Sequence, residues 1–418
     1  MLGSELPLVS ALPFVVLLLV IAVAPLVGPR WWHHNRNKAL VAGLVSLPVL
    51  IYLGSSLDGR HLLAEKALEY FGFIVVIGAL FVIAGGIHIQ GSLSGTPLVN
   101  TAMLGIGAVL ANLTGTTGAS ALLIRPLLRA NKRRKRVTHI VIFFIFIVAN
   151  CGGLLTPIGD PPLLLGFLKG VPFTWTLRLW PQWLFVNGIL LVIFNVWDQL
   201  ALNKDEKELP GSQHEEVLIH EPLRIQGALP MVALLLVIVA IVMAWPVWAV
   251  GLIGVLGYFA GTTDHRNKNE FAFGPIIEVA VLFAAIFVTM APMLEIVNAR
   301  AADIGLRTPG QFFWITGALS SVLDNAPTYL AFTSAAAGLQ NIPAHGAYVG
   351  LIDSRMLAAI ATGAVFMGAN TYIGNAPNFM VKAIAEQGGV KMPSFVGYMA
   401  YSIGILLPLF IVVSFVFF

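Results

Sequence analysis

The chain has 418 residues, 58% of them hydrophobic and 11% charged, with a net charge of +4. Soluble domains carry about 25% charged residues, so the composition excludes a soluble domain and defines a polytopic membrane protein. The small net charge leaves no footprint for nucleic acid, and a single cysteine, Cys151, excludes an internal disulfide and a cysteine-based metal cluster.

The first apolar run, 6–27, is preceded by Glu5 and by no Lys or Arg. It is long for a signal-peptide core, and Pro25 follows directly on the small residues at 22–24, so a retained span is expected. Further continuous spans are expected at 38–54, 70–90, 182–200, 226–244, 246–261, 274–298 and 394–416. Segments 137–168 and 353–385 are apolar but interrupted. Segments 97–130 and 309–338 have polar, Gly- or Pro-bearing centres, and each is as long as two half-spans, which predicts a re-entrant helical hairpin.

Loop 28–38 carries Arg30, Arg36 and Lys38 without an acid, and "RANKRRKR" at 129–136 carries six basic residues. Basic loops stay in the cytoplasm, which places both termini on the outer face of a cell (inner) membrane. The first hairpin then enters from the cytoplasm and the second from outside; the flank 339–352 has no Lys or Arg. Residues 201–225, with "KDEKE" and "HEEVLIHE", form the only long polar linker and read as a solvated connection between two halves. Trp31, Trp32, Trp175, Trp180, Trp183, Trp245 and Trp248 read as interfacial belts. His88 and His139 read as interfacial or structural, and Glu278 and Glu295 as reaching opposite interfaces. Neither HExxH nor GxSxG is present, so no enzyme is expected.

"TPIGDPP" at 156–162 echoes "TYIGNAP" at 371–377, matching at Thr156/Thr371, Ile158/Ile373, Gly159/Gly374 and Pro162/Pro377. Gly153 and Gly368 match at the same offset. Asn112 lies 44 residues before Thr156 and Asn325 lies 46 before Thr371, each in the centre of a proposed hairpin. The chain therefore reads as two repeats, 1–200 and 226–418, of five crossings each. An odd number of crossings inverts the second relative to the first, the architecture of secondary transporters that bind near the midplane.

A break in a membrane helix survives only where it lines a cavity or meets a ligand. Glycines and Pro157 release the chain from the helix, and the freed carbonyls become candidate oxygen ligands. Asn112, Thr114, Thr116, Thr156, Asn325, Thr328, Thr371 and Asn375 add neutral oxygens. Asp160 and Asp324 are the only full charges at these centres. A carboxylate at a helix centre costs about 2.5–3.5 kcal/mol on insertion scales, which marks both as functional candidates. Such a group holds a cation or a proton, but not both well, and that competition couples their movements.

At these motifs the sequence resembles the ion transporter superfamily, which includes NhaD-type sodium/proton antiporters, arsenite-efflux permeases and citrate or dicarboxylate transporters. "SSVLDNAPTYLA" is similar to the NhaD-type hairpin and "NCGGLLTPIGDPP" to that group's broken helix. The resemblance implies a homodimer with a scaffold and a mobile transport domain, and elevator-like alternating access. It also implies one site per half: Asn112, Thr114 and Thr116 with Thr156, Gly159 and Asp160, then Asp324, Asn325 and Thr328 with Thr371, Gly374 and Asn375. "ANLTGTTG" departs from the antiporter pattern, with Ala111 where an acid often precedes the Asn. The function expected is sodium/proton antiport, with sodium at Asp160 and Asp324 and no cofactor; the alternative is cation-coupled citrate or dicarboxylate transport.

Overall fold

The computed structural model describes residues 2–92, 94–208, 221–339 and 348–418. The described chain is helical apart from two short two-stranded ribbons. Eight helices are long and apolar enough to cross a membrane, and Ala228–Val242 and Val247–Ala260 are shorter apolar helices.

Pro97–Ala130 would extend about 51 Å as one straight helix of 34 residues, well beyond the roughly 30 Å hydrocarbon core. It does not run straight. Gly115, at φ +77° and ψ 155°, breaks the helix in a conformation that only glycine adopts without strain. The feet of the two limbs meet: Asn100 Nδ2 donates to Asn131 Oδ1 at 2.9 Å, and Asn131 Nδ2 returns a bond to Asn100 Oδ1 at 2.8 Å. The second hairpin has limbs Pro309–Ser320 and Asn325–Gly338. A capping box of Thr308 and Gln311 starts the first limb, and the Asp324 carboxylate caps the second by accepting from Ala326 N–H at 3.0 Å. Phe312 and Phe332 meet edge-on across the limbs, 6.4 Å apart.

Three side-chain contacts establish which loops share a face of the molecule. Asn269 bonds the Gly85 and Ile87 carbonyls, and Thr138 Oγ1 donates to the Lys391 carbonyl. Trp175 Nε1 donates to Ser354 Oγ on the other face. The first hairpin has its feet on the face of Gly85 and Ile87, where Arg129 Nη2 donates to the Ile89 carbonyl at 2.9 Å. The second has its base beside Asn298, whose amide donates to the Ser334 carbonyl at the far end of helix Gly274–Ala299. The two hairpins thus enter from opposite faces.

Two expectations need correction. The span placed at 70–90 is the end of a helix over Leu57–Ala84. Ser56 caps it, accepting from Gly59 N–H at 3.0 Å, and the charged turns that hydropathy ignores remain helical. Residues 88–92 instead form a strand, His88–Ser92, paired antiparallel with Glu221–Gln226. The linker begins as the continued helix Trp180–Glu208; residues 209–220, and 340–347 of the second flank, lie outside the described residues.

The foot of the first hairpin is fixed by a buried polar cluster. Arg134 Nη2 lies 2.6 Å from Asp198, both side chains at most 1% exposed. His139 Nε2 also contacts Asp198, at 2.7 Å, and Asn100 donates to it at 2.9 Å. His139 is thus structural, as expected, and Glu278 is taken by Lys38 at 2.7 Å. Removing one partner of a buried pair strands the other. Arg134→Ala is expected to destabilise the protein by about 3–5 kcal/mol, seen as a lower thermal midpoint in detergent.

Candidate functional site

Both broken helices have the same backbone form. Thr138–Ile147 gives way to a 3-10 turn at Cys151–Leu155, and the helix resumes at Pro161–Leu168. Ser354–Met367 gives way to Gly368–Asn370 and resumes at Ala376–Gln387. The residues ahead of the second segments match: Asp160 at φ −146° and ψ 146°, Asn375 at φ −151° and ψ 140°. Here the prolines at the first turn need no N–H, and the extended residue faces its side chain off the helix end.

Most freed carbonyls have protein donors. Gly152 O accepts from Asn112 Nδ2 at 2.7 Å and Trp183 Nε1 at 2.8 Å, and Cys151 O accepts from Asn187 at 3.2 Å. Asn378 donates to the Gly368 and Thr371 carbonyls, and Tyr398 and Ser402 to those of Ala369 and Asn370. Two of the seven belt tryptophans are therefore not belt residues: Trp183 braces the break, and Trp175, 5% exposed, ties two loops. Their indole N–H groups found partners inside the protein.

Several expected ligands are braces as well. Thr156 Oγ1 donates to the Asn112 carbonyl at 2.5 Å, and Thr371 Oγ1 to the Ser321 carbonyl at 2.5 Å. Thr114 donates to Leu110 O and Thr328 to Asp324 O, each one helical turn back. The matching threonine bonds also fix the register of the repeat. Ser321, not Asn325, is the counterpart of Asn112, and Asn325 corresponds to Thr116.

What remains converges on Asp160, 1% exposed. Its Oδ1 accepts from Thr116 Oγ1 at 2.7 Å and Asn375 Nδ2 at 3.1 Å. Its Oδ2 accepts from Asn325 Nδ2 at 2.5 Å. One carboxylate thus receives both hairpin tips and the second break. The two sets of residues expected in separate halves meet at Asp160. The cause is packing: the two breaks cross where Asn150 Oδ1 accepts from Asn375 at 3.2 Å and Asn150 Nδ2 donates to Asn378 Oδ1 at 2.7 Å. Asn150 and Asn378 were missed; the signal available was an amide beside each glycine-bearing break, able to satisfy released carbonyls.

Asp160 and Asp324 line a single cavity of about 80 Å³ with Thr114, Gly115, Thr116, Gly159 and Asn375. The opposite wall is apolar, from Phe73, Leu80 and Phe81 of helix Leu57–Ala84 and Val279 and Phe283 of helix Gly274–Ala299. Among the described residues no Lys, Arg or His lines it. Asn325, fully buried, keeps one unpartnered oxygen, Oδ1, among the described residues. A stranded buried acceptor costs about 1–3 kcal/mol, and this one belongs to the residue that bonds Asp160 of the cavity lining. The group set is acidic and oxygen-rich, suited to a hard cation or a proton.

Opposed hairpins and paired broken helices around one buried cavity define a secondary transporter. A family model, CitMHS_2, described as "Putative citrate transport", matches residues 3–252 and 247–418. The chain belongs to this citrate-transport family. A search of curated proteins returns no match.

Proposed function

We propose that the chain exchanges a monovalent cation, sodium, for protons across the cell membrane. The observation that carries this reading is the pair of carboxylates on one cavity whose lining, among the described residues, holds no basic side chain. An anion alone would meet two acids there and nothing to offset them. Sodium would sit against Asp160 and Asp324, with Asn325 Oδ1 as a neutral ligand. Proton binding competes for the same oxygens, so the apparent sodium affinity weakens as pH falls. The unit that moves comprises the two hairpins and the two crossed breaks, sliding on the apolar wall in an elevator-like cycle, within a homodimer.

A second reading is favoured by the family match: transport of citrate or a dicarboxylate, its charge and that of the two Asp residues neutralised by bound cations. Proteoliposomes separate the two. Sodium-driven proton movement without added solute is the result expected for exchange. Sodium-dependent uptake of labelled citrate, with no proton movement in its absence, would replace the first reading by the second.

A further inference from the structure

Beside the cavity lies a second one of about 340 Å³, with Phe81, Gly118 and Pro275 in the walls of both. Its walls are mostly apolar, and among the described lining residues the charged ones are Arg125 and Glu270. They face each other, Arg125 Nη2 to Glu270 Oε2 at 2.7 Å. Arg125 belongs to the second limb of the first hairpin and its side chain is 21% exposed; the Glu270 side chain is 66% exposed.

Glu270 reaches this position from a loop that is itself held in place. Asn269 bonds Gly85 O at 3.1 Å and Ile87 O at 2.6 Å, and its Oδ1 meets His88 Nδ1 at 2.7 Å. Glu270, at φ +49°, is the left-handed residue that ends helix Thr263–Lys268, with Phe271 N–H bonded to the Arg266 carbonyl at 2.9 Å. The fold thus presents a carboxylate to Arg125, the guanidinium among the described lining residues. Guanidinium recognises carboxylate by charge-assisted, often paired hydrogen bonds. The Gln387 side chain, also in the lining, adds a neutral amide.

We propose that Arg125 is a reception site for small organic carboxylates, and that Glu270 is its resident, displaceable occupant. The proposal rests on the carboxylate reading above, and gives it the basic group that the inner cavity lacks. An incoming carboxylate takes the Arg125 guanidinium, Glu270 turns into the second cavity, and the solute waits beside the cavity of Asp160 and Asp324. No bond is made or broken in this exchange of partners.

The test is equilibrium binding of citrate and of succinate to the purified full chain in detergent, by calorimetry, for the parent protein, Arg125→Gln and Glu270→Gln. Displacement demands opposite signs. Arg125→Gln should weaken citrate binding at least about tenfold, whereas Glu270→Gln should tighten it up to about fivefold, the size of an exposed ion pair. Chloride at matched ionic strength should not compete. If both substitutions weaken binding, the pair is only structural and the proposal fails. It also fails if neither substitution changes binding, or if neither the parent nor Glu270→Gln binds a carboxylate. Thermal midpoints of the variants separate misfolding from lost recognition. Sodium-dependent proton flux is measured in parallel, because its persistence without carboxylate binding would overturn the reception site and leave the exchange reading intact.

Discussion

Asp324→Asn is expected to reduce sodium-dependent proton flux in proteoliposomes to the level of empty vesicles, without loss of fold. Among the described residues the Asp324 carboxylate accepts one hydrogen bond, the cap from Ala326 N–H. Asn caps a helix about as well as Asp, so the substitution removes charge and leaves the hairpin standing. Asp160→Asn should have the same effect on flux at a structural cost. Asp160 accepts from Thr116, Asn325 and Asn375, and an amide must turn its own NH₂ toward at least one of these donors. Its thermal midpoint should therefore fall while that of Asp324→Asn stays near the parent value. Full flux in Asp324→Asn would refute shared occupancy of the two carboxylates and leave the citrate reading in front.

The second large effect is on assembly. Gly159→Ala should destabilise the protein by about 3 kcal/mol or more, because its Cβ would lie 2.1 Å from the Gly153 carbonyl oxygen and 2.8 Å from its carbon. Gly374→Ala repeats the conflict in the other half, 2.6 Å from Gly368 O and 2.7 Å from Ser320 O. In each case the obstacle is backbone, which cannot turn aside as a side chain could. Gly188→Ala, on helix Trp180–Glu208, is the control: a Cβ there meets nothing within 4 Å, and a helix interior favours Ala over Gly by about 0.5–1 kcal/mol. Thermal midpoint and monodispersity in detergent report all three. Equal midpoints for Gly159→Ala and Gly188→Ala would mean that the break is not packed as described.

The hairpins and breaks were legible because hydrocarbon punishes irregular backbone. Glycine, proline and amides clustered within an otherwise apolar span mark the place where the chain leaves the helix and its polar groups are met by protein or ligand. The repeat was legible from "TPIGDPP" and "TYIGNAP" for the same reason. The pairing of Asn112 with Asn325 was not reliable, because it matched residue type. Thr116 and Asn325 hold corresponding places with different donors, a hydroxyl and an amide, and only the Thr156 and Thr371 bonds reveal the offset. The convergence of both tips on Asp160 was hidden as well. Contacts within a half follow from sequence order, but contacts between halves depend on how two breaks cross. The roles of Asn150 and Trp183 were invisible for a related reason: each serves a carbonyl whose exposure depends on where the helix stops.

The dependence of Asp160 on the second half also bears on how the protein is made. Its amide partner Asn375 is 215 residues further along the chain. At about 5–20 residues per second, the ribosome delivers that partner roughly 10–40 s after the aspartate. Asn325 comes first, 165 residues after the aspartate; until then the carboxylate has Thr116 from its own half and lacks both amides. The first half is therefore made before Asp160 has its full set of three donors, and the set is complete only when the last broken helix has been synthesised. A chain that ends before residue 325 holds a buried-site carboxylate with neither of its amide donors, so the first half alone is expected to be less stable than its share of the whole.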